Sequence, residues 1–172
     1  VITTPLAIRL VLDRAATTQQ AVDLLLSYDM FATSGRDYHF YITDAQGDGR
    51  VIEYDCDSPE RMPVVTPTRQ VTNFFVMHEN KVAPFRKNGA YGHGRERYDA
   101  ISSVLDESPA GTDAQVTAWK ALRTASQAPN PEDVTSNTQW SIVFDNENLT
   151  ADVALRRRWD DVHHADIHGN MV

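Results

Sequence analysis

The sequence has very little cysteine, since Cys56 is the only one among 172 residues. A single cysteine cannot form an internal disulfide, which excludes the small disulfide-stabilised secreted domains and favours a reducing compartment such as the cytoplasm. Cys56 stands between Asp55 and Asp57. Two adjacent acidic side chains disfavour the reactive thiolate. We therefore interpret Cys56 as a structural residue and not as a nucleophile.

Positive charge and long apolar runs are also scarce. The chain has 16 Lys and Arg against 24 Asp and Glu, a formal net charge of −8. Nucleic-acid binding needs a basic surface, and the only dense basic run, at 156–158, is followed by Asp160 and Asp161. No apolar stretch approaches the roughly 20 residues that span a bilayer, and no signal peptide opens the chain. We expect neither a nucleic-acid nor a membrane partner.

Motifs that bind phosphates or activate a serine are absent as well. There is no Walker loop, no Gly-x-Ser-x-Gly, and no Gly-x-Gly-x-x-Gly between a strand and a helix. Histidines at 163, 164 and 168 invite a metal interpretation. No further ligand accompanies them, and a polar terminus explains them as well. We expect no metal and no organic cofactor.

The residues present predict an α+β domain. A length of 172 residues and a hydrophobic fraction of 41% suit a single domain over 1–172. Apolar periodicity predicts helices at 5–15, 17–26, 95–105 and 113–125. Alternating patterns and turn residues predict strands at 38–43, 50–54, 70–75, 138–145 and 149–156, with a loop over 78–94. This order favours mostly antiparallel hairpins with helices layered on the sheets.

Asn73 is the first candidate site residue. Asn is depleted in strands, yet here it follows Val71 and Thr72 and precedes two phenylalanines. At a strand end its amide can point into a cleft and donate to a developing oxyanion, which is worth a few kcal/mol, or about a hundredfold in rate. The alternative is a turn-forming Asn at a strand terminus.

Arg95 and Arg97 are the next candidates, because they open a helix directly after Gly92-His93-Gly94. An arginine at a helix N-terminus opposes the helix dipole, which favours a specific partner. The alternative is a surface arginine paired with Glu96 or Asp99, which contributes little.

These segments together resemble the C-terminal portion of the cysteine N-terminal nucleophile (Ntn) hydrolases. This linear-amide family includes penicillin V acylase, conjugated bile salt (choloylglycine) hydrolase, the penicillin-biosynthetic acyltransferases and N-acylethanolamine amidase. The resemblance runs, in order, through the first helix pair, the 38–54 hairpin, Val71-Thr72-Asn73, Arg95-Glu96-Arg97-Tyr98 and the last hairpin with 155–157. It implies an αββα-layered fold that is incomplete at the N-terminus.

The resemblance also implies a mechanism. In the family, an N-terminal Cys attacks the amide carbonyl, and its own α-amine serves as the base. The resemblance assigns the oxyanion-donor role to Asn73. It assigns the role of the site arginine to Arg97 or Arg95. The spacing of the apolar residues Tyr98 and Ile101 along the helix favours Arg97 over Arg95. Val1 is not a nucleophile. We therefore expect the nucleophile upstream of this chain or on another chain, and residues 1–172 alone to be inactive.

Two functions follow as hypotheses. The first is part of a hydrolase of linear amides, with a small-molecule amide substrate, the missing N-terminal segment as partner, and homo-oligomerisation left open. The alternative is a non-catalytic binding or structural module that kept the fold and lost the site. A Cys that becomes N-terminal after processing upstream of Val1 would favour the enzyme.

Overall fold

The computed structural model describes residues 1–31, 38–84, 89–133 and 136–166. The chain divides into two compact units, Val1–Arg95 and Glu96–Val172, which are described separately below. The single domain expected over 1–172 stays a prediction.

A helix pair opens the first unit, as the sequence predicts. Helix α1 spans Thr4–Arg14 with Pro5 in its first turn, where a missing N–H costs nothing. Helix α2 spans Thr18–Leu26, and the Thr17 side chain caps it by accepting from the Gln20 N–H at 3.2 Å. A short parallel pair, β1 (Ile2–Thr3) and β2 (Met30–Phe31), flanks the helices and is not predicted by the sequence.

A three-stranded antiparallel sheet follows, formed by β3 (His39–Thr43), β4 (Gly49–Tyr54) and β5 (Pro63–Pro67) in that order. The predicted 38–54 hairpin is confirmed, and its register sets His39 opposite Glu53. Sequence analysis misses β5, because prolines stand at both of its ends. β5 is an edge strand, where proline is tolerated.

The two faces of β4 have different neighbours. Ile52 packs into the core cluster with Phe40 and the two helices; the buried members of this cluster are Ala7, Val22, Leu25, Phe40 and Ile52. Because side chains alternate along a strand, Val51 and Glu53 lie on the opposite face. Both are fully buried. A 3₁₀ helix, Val76–Lys81, packs against β4 and β5.

The predicted strand over 70–75 is wrong. This segment is irregular, and its one β-bridge joins Phe74 to Gly92. No ladder forms, because the segment pairs with a short stretch around Gly92 and not with a strand. The loop predicted over 78–94 is also partly wrong, since the 3₁₀ helix occupies its start.

The second unit contains two helices and a second antiparallel sheet. Helix α3 (Arg95–Glu107) begins at the last residue of the first unit, and helix α4 (Ala114–Ala125) is capped by Asp113, as predicted. Strands β6 (Trp140–Asp145) and β7 (Thr150–Leu155) form the predicted hairpin. A third strand, β8 (Val162–Asp166), follows. The mixture of helices and antiparallel sheets confirms the α+β class.

Within the part of the chain that the structure describes, no helix combines the length and the apolar character that crossing a membrane requires.

Asp44 joins the helix pair to the sheet. Its Oδ2 accepts from the Thr18 N–H at 2.9 Å, and the buried Thr18 hydroxyl donates to the Asp48 carbonyl at 2.8 Å. The pKa of Asp44 lies below its ordinary value of 3.8, chiefly because the Thr18 N–H donates to the carboxylate. The β3–β4 turn is thereby attached to the N-terminus of α2.

We expect Asp44→Asn to lower the thermal unfolding midpoint near neutral pH and to have a smaller effect in acid. A carboxyl group whose pKa is lower in the folded state stabilises the fold above its unfolded-state pKa, and this contribution is lost as the pH falls through the folded-state pKa. Thermal melts across an acidic pH series measure the effect. Asp29→Asn, at an exposed position, is the control. Equal midpoint losses at every pH would contradict the prediction.

Candidate functional site

A pocket of about 540 Å³ lies in the first unit beside Asn73. Its lining comes from residues 38–39, 72–75 and 89–93. Aromatic side chains supply much of the wall: Tyr38, Phe74, Phe75 and Tyr91. Its polar side chains include those of His39, Asn73 and His93. This size and this mixture of aromatic wall and few polar groups are typical of small-molecule sites.

Asn73 is exposed, whereas the two phenylalanines that follow it are buried. Phe74 and Phe75 retain 2% and 8% of their accessible surface. The buried rings anchor the segment and leave the asparagine at the pocket. The strand expected to carry Asn73 does not form, and the oxyanion role of Asn73 stays a prediction.

Main-chain hydrogen bonds hold the Asn73 segment against the opposite wall of the pocket. The Asn73 carbonyl accepts from the His93 N–H at 2.8 Å, and the Phe75 N–H donates to the Tyr91 carbonyl at 3.0 Å. Between them, Gly92 has a φ of +102°. A Cβ there would lie 2.1 Å from the Asn73 carbonyl oxygen. Only glycine permits this approach, because both the φ and the spacing exclude a side chain.

Glu53 attaches the same segment to the sheet. Its Oε1 accepts from the Val76 N–H and its Oε2 from the Met77 N–H, each at 2.8 Å. On the neighbouring strand, His39 Nδ1 lies 3.1 Å from Oε1. Neither Glu53 nor His39 is among the site residues predicted from the sequence. The available signal is a charged residue on the same face of β4 as Val51, with a histidine opposite it in the hairpin.

An ion pair supports the Tyr91 wall. The Lys81 ammonium lies 2.6 Å from Asp57 Oδ2, and the Tyr91 hydroxyl donates to the same carboxylate at 3.2 Å. The hydrogen bond from Lys81 lowers the pKa of Asp57, and the same bond raises the pKa of Lys81. Lys81 also lies 4.9 Å from the centre of the Tyr91 ring. Tyr91 is therefore held by charge as well as by packing.

Cys56 belongs to a cluster with Asp57 and His78, whose possible ligand atoms lie within 4.8 Å of one another. The His78 ring is buried, and its Nε2 lies 3.3 Å from Asp55 Oδ1. Thiolate, imidazole and carboxylate are zinc ligands. Lys81 already pairs with Asp57 here, however, so a divalent cation would have to displace an ammonium group.

The two candidate arginines are placed differently. The Arg95 Nη1 donates to the Glu79 carbonyl at 2.9 Å, and its guanidinium carbon lies 6.0 Å from the centre of the Phe74 ring. Arg95 therefore contacts the residue next to Asn73. Arg97, which the apolar spacing favours, belongs to the second unit, and its role stays a prediction.

A scan against models of protein families finds no match for this chain, and a search of curated proteins finds no matching relative. The Ntn-hydrolase resemblance accordingly stays a prediction.

We expect Gly92→Ala to destabilise the first unit more than Gly47→Ala. Both glycines have positive φ, which costs another residue roughly 1–2 kcal/mol. Only Gly92 would also bring a Cβ against backbone, and we expect its total loss to reach about 3 kcal/mol. Gly47 has no heavy atom within 4 Å of that position. Denaturant unfolding measures both variants, and equal losses would show that the close approach is not constraining.

Proposed function

We propose that this chain is part of a hydrolase that cleaves the carbon–nitrogen bond of linear amides. The nucleophile is an N-terminal cysteine supplied from outside residues 1–172. The observation that carries the proposal is the exposed Asn73, fixed by main-chain bonds at the edge of an aromatic pocket. The ordered resemblance of the surrounding segments to the cysteine Ntn hydrolases supports it.

The reaction proceeds by acyl transfer to the thiol. The cysteine sulfur attacks the amide carbonyl, and its proton passes to the α-amine of the same residue. The Asn73 amide donates to the oxyanion that forms. The tetrahedral intermediate expels the amine, which takes the proton, and water then hydrolyses the thioester to release the acid and regenerate the thiol.

The pocket suits an apolar group on the amide. Tyr38 and Tyr91 are partly exposed at the pocket and offer ring surfaces to an acyl chain, an aryl group or a steroid. Phenoxyacetyl, bile-acid and fatty-acyl amides are therefore the substrates to compare. Arg95 contributes through Phe74, because its guanidinium group contacts that ring and the Glu79 carbonyl.

The αββα layering belongs to the same proposal. In the first unit, a helix pair covers one face of an antiparallel sheet. In the second, α4 packs against β6. Trp140 and Phe144 on β6 remain 63% and 67% exposed, and both occupy the face opposite the buried Ser141. An apolar sheet face of this kind supports a second layer in the complete protein.

We expect Asn73→Ala to lower kcat by roughly a hundredfold or more while KM changes little, because the amide acts on charge that develops in the transition state. The assay uses the protein that includes the segment upstream of Val1, with penicillin V, a glycine-conjugated bile salt and an N-acylethanolamine as substrates. A thiol-alkylating reagent should abolish the activity.

Asn80→Ala is the matched control, since Asn80 is exposed on the 3₁₀ helix and away from the pocket lining. Wild-type kcat in Asn73→Ala would refute the oxyanion role. If the wild-type protein hydrolyses none of these amides, the result favours the non-catalytic module.

A further inference from the structure

We infer that the Glu53–His39 pair is a functional part of the pocket: Glu53 is the positioning residue that sets the place of the Asn73 segment, and His39 is a polar group that contacts the bound amide. The inference rests on the proposed function and adds two residues to it.

The first argument is the burial of Glu53. Its side chain is 0% exposed, and a buried carboxylate persists only where donors satisfy it. Here the Val76 N–H, the Met77 N–H and His39 Nδ1 all face its two oxygens. An apolar side chain at this position would leave the Val76 and Met77 N–H groups without their acceptor. The carboxylate is therefore better explained by what it holds in place.

The second argument is the location of the two main-chain donors. The two donors are the N–H groups of Val76 and Met77. Glu53 therefore binds the main chain three and four residues after Asn73. Residues 70–75 have no ladder to a strand, and their bridge runs to Gly92. Glu53 thus attaches the irregular segment around Asn73 to the regular strand β4.

The third argument is the state of the His39 ring. An ionised carboxylate can only accept, so Nδ1 must carry the hydrogen in its bond to Glu53. This fixes the tautomer and leaves Nε2 for another partner. The His39 side chain is 22% exposed and lines the same pocket as Asn73. Glu53 therefore orients one polar group directly and a second through the main chain.

Amide hydrogen exchange on residues 1–172, followed by NMR, tests the positioning. In Glu53→Gln, the side-chain NH₂ must face one of the two main-chain donors, so we expect exchange at Val76 or Met77 to rise about tenfold or more. Amides of the β4–β5 ladder should keep wild-type rates. Glu60→Gln, at an exposed position, is the control. Unchanged protection at both amides would overturn the inference.

Kinetics of the protein with its upstream segment test the function. Per titrated nucleophile, Glu53→Gln should lower kcat at least about tenfold with KM within about twofold, because Asn73 shifts. His39→Gln should mainly raise KM. A purely structural role would reduce the number of titrated sites and leave the rate per site unchanged, which would overturn the inference. If Glu53→Gln fails to fold, Glu53→Asp is judged by the same criteria.

The two proposals fail separately. A wild-type protein without amidase activity overturns the proposed function and the substrate contact given to His39. Faster exchange at Val76 or Met77 would still establish that Glu53 positions the Asn73 segment. An active wild type with unperturbed Glu53→Gln overturns the positioning role alone.

Discussion

One buried carboxylate joins the sheet of the first unit to the irregular chain that forms the pocket. Glu53 extends from the face of β4 that is opposite the helix-packed core and accepts two main-chain N–H groups from the start of the 3₁₀ helix. Transfer of a charge out of water is costly, so its geometry is tightly specified once the donors are in place. The hydrophobic core packs on one face of β4, and on the other face Glu53 holds the start of the 3₁₀ helix.

The pocket is therefore built from irregular chain on a regular support. Residues 73–75 and 91–93 bond to each other through their main chains, and each stretch has a further attachment. Glu53 accepts from the main chain directly after the first stretch, and the Asp57 carboxylate accepts from Tyr91 in the second. Glu53 lies on β4 and Asp57 three residues after its end, so both walls are attached to this part of the chain.

Regular elements with a strong local signal were predictable, and elements held by distant partners were not. Asp113 caps its helix as its sequence position indicates, and the glycine-containing turn before β4 indicates the 38–54 hairpin. The segment around Asn73 has residues typical of a strand, but the main chain directly after it donates to a side chain 23 and 24 residues away, which no local pattern reveals. Glu53 and His39 are only 14 residues apart, within the predicted hairpin, but their place at the pocket depends on the same distant segment.

The wall formed by residues 89–93 is joined to Asn73 through backbone atoms, and at Gly92 the close approach to the Asn73 carbonyl forbids a side chain. Hydrogen bonds between main chains do not depend on residue type. Ala90 and His93 can therefore diverge among related proteins while Asn73 keeps its place. The side chains that shape this wall of the pocket can therefore change without moving Asn73.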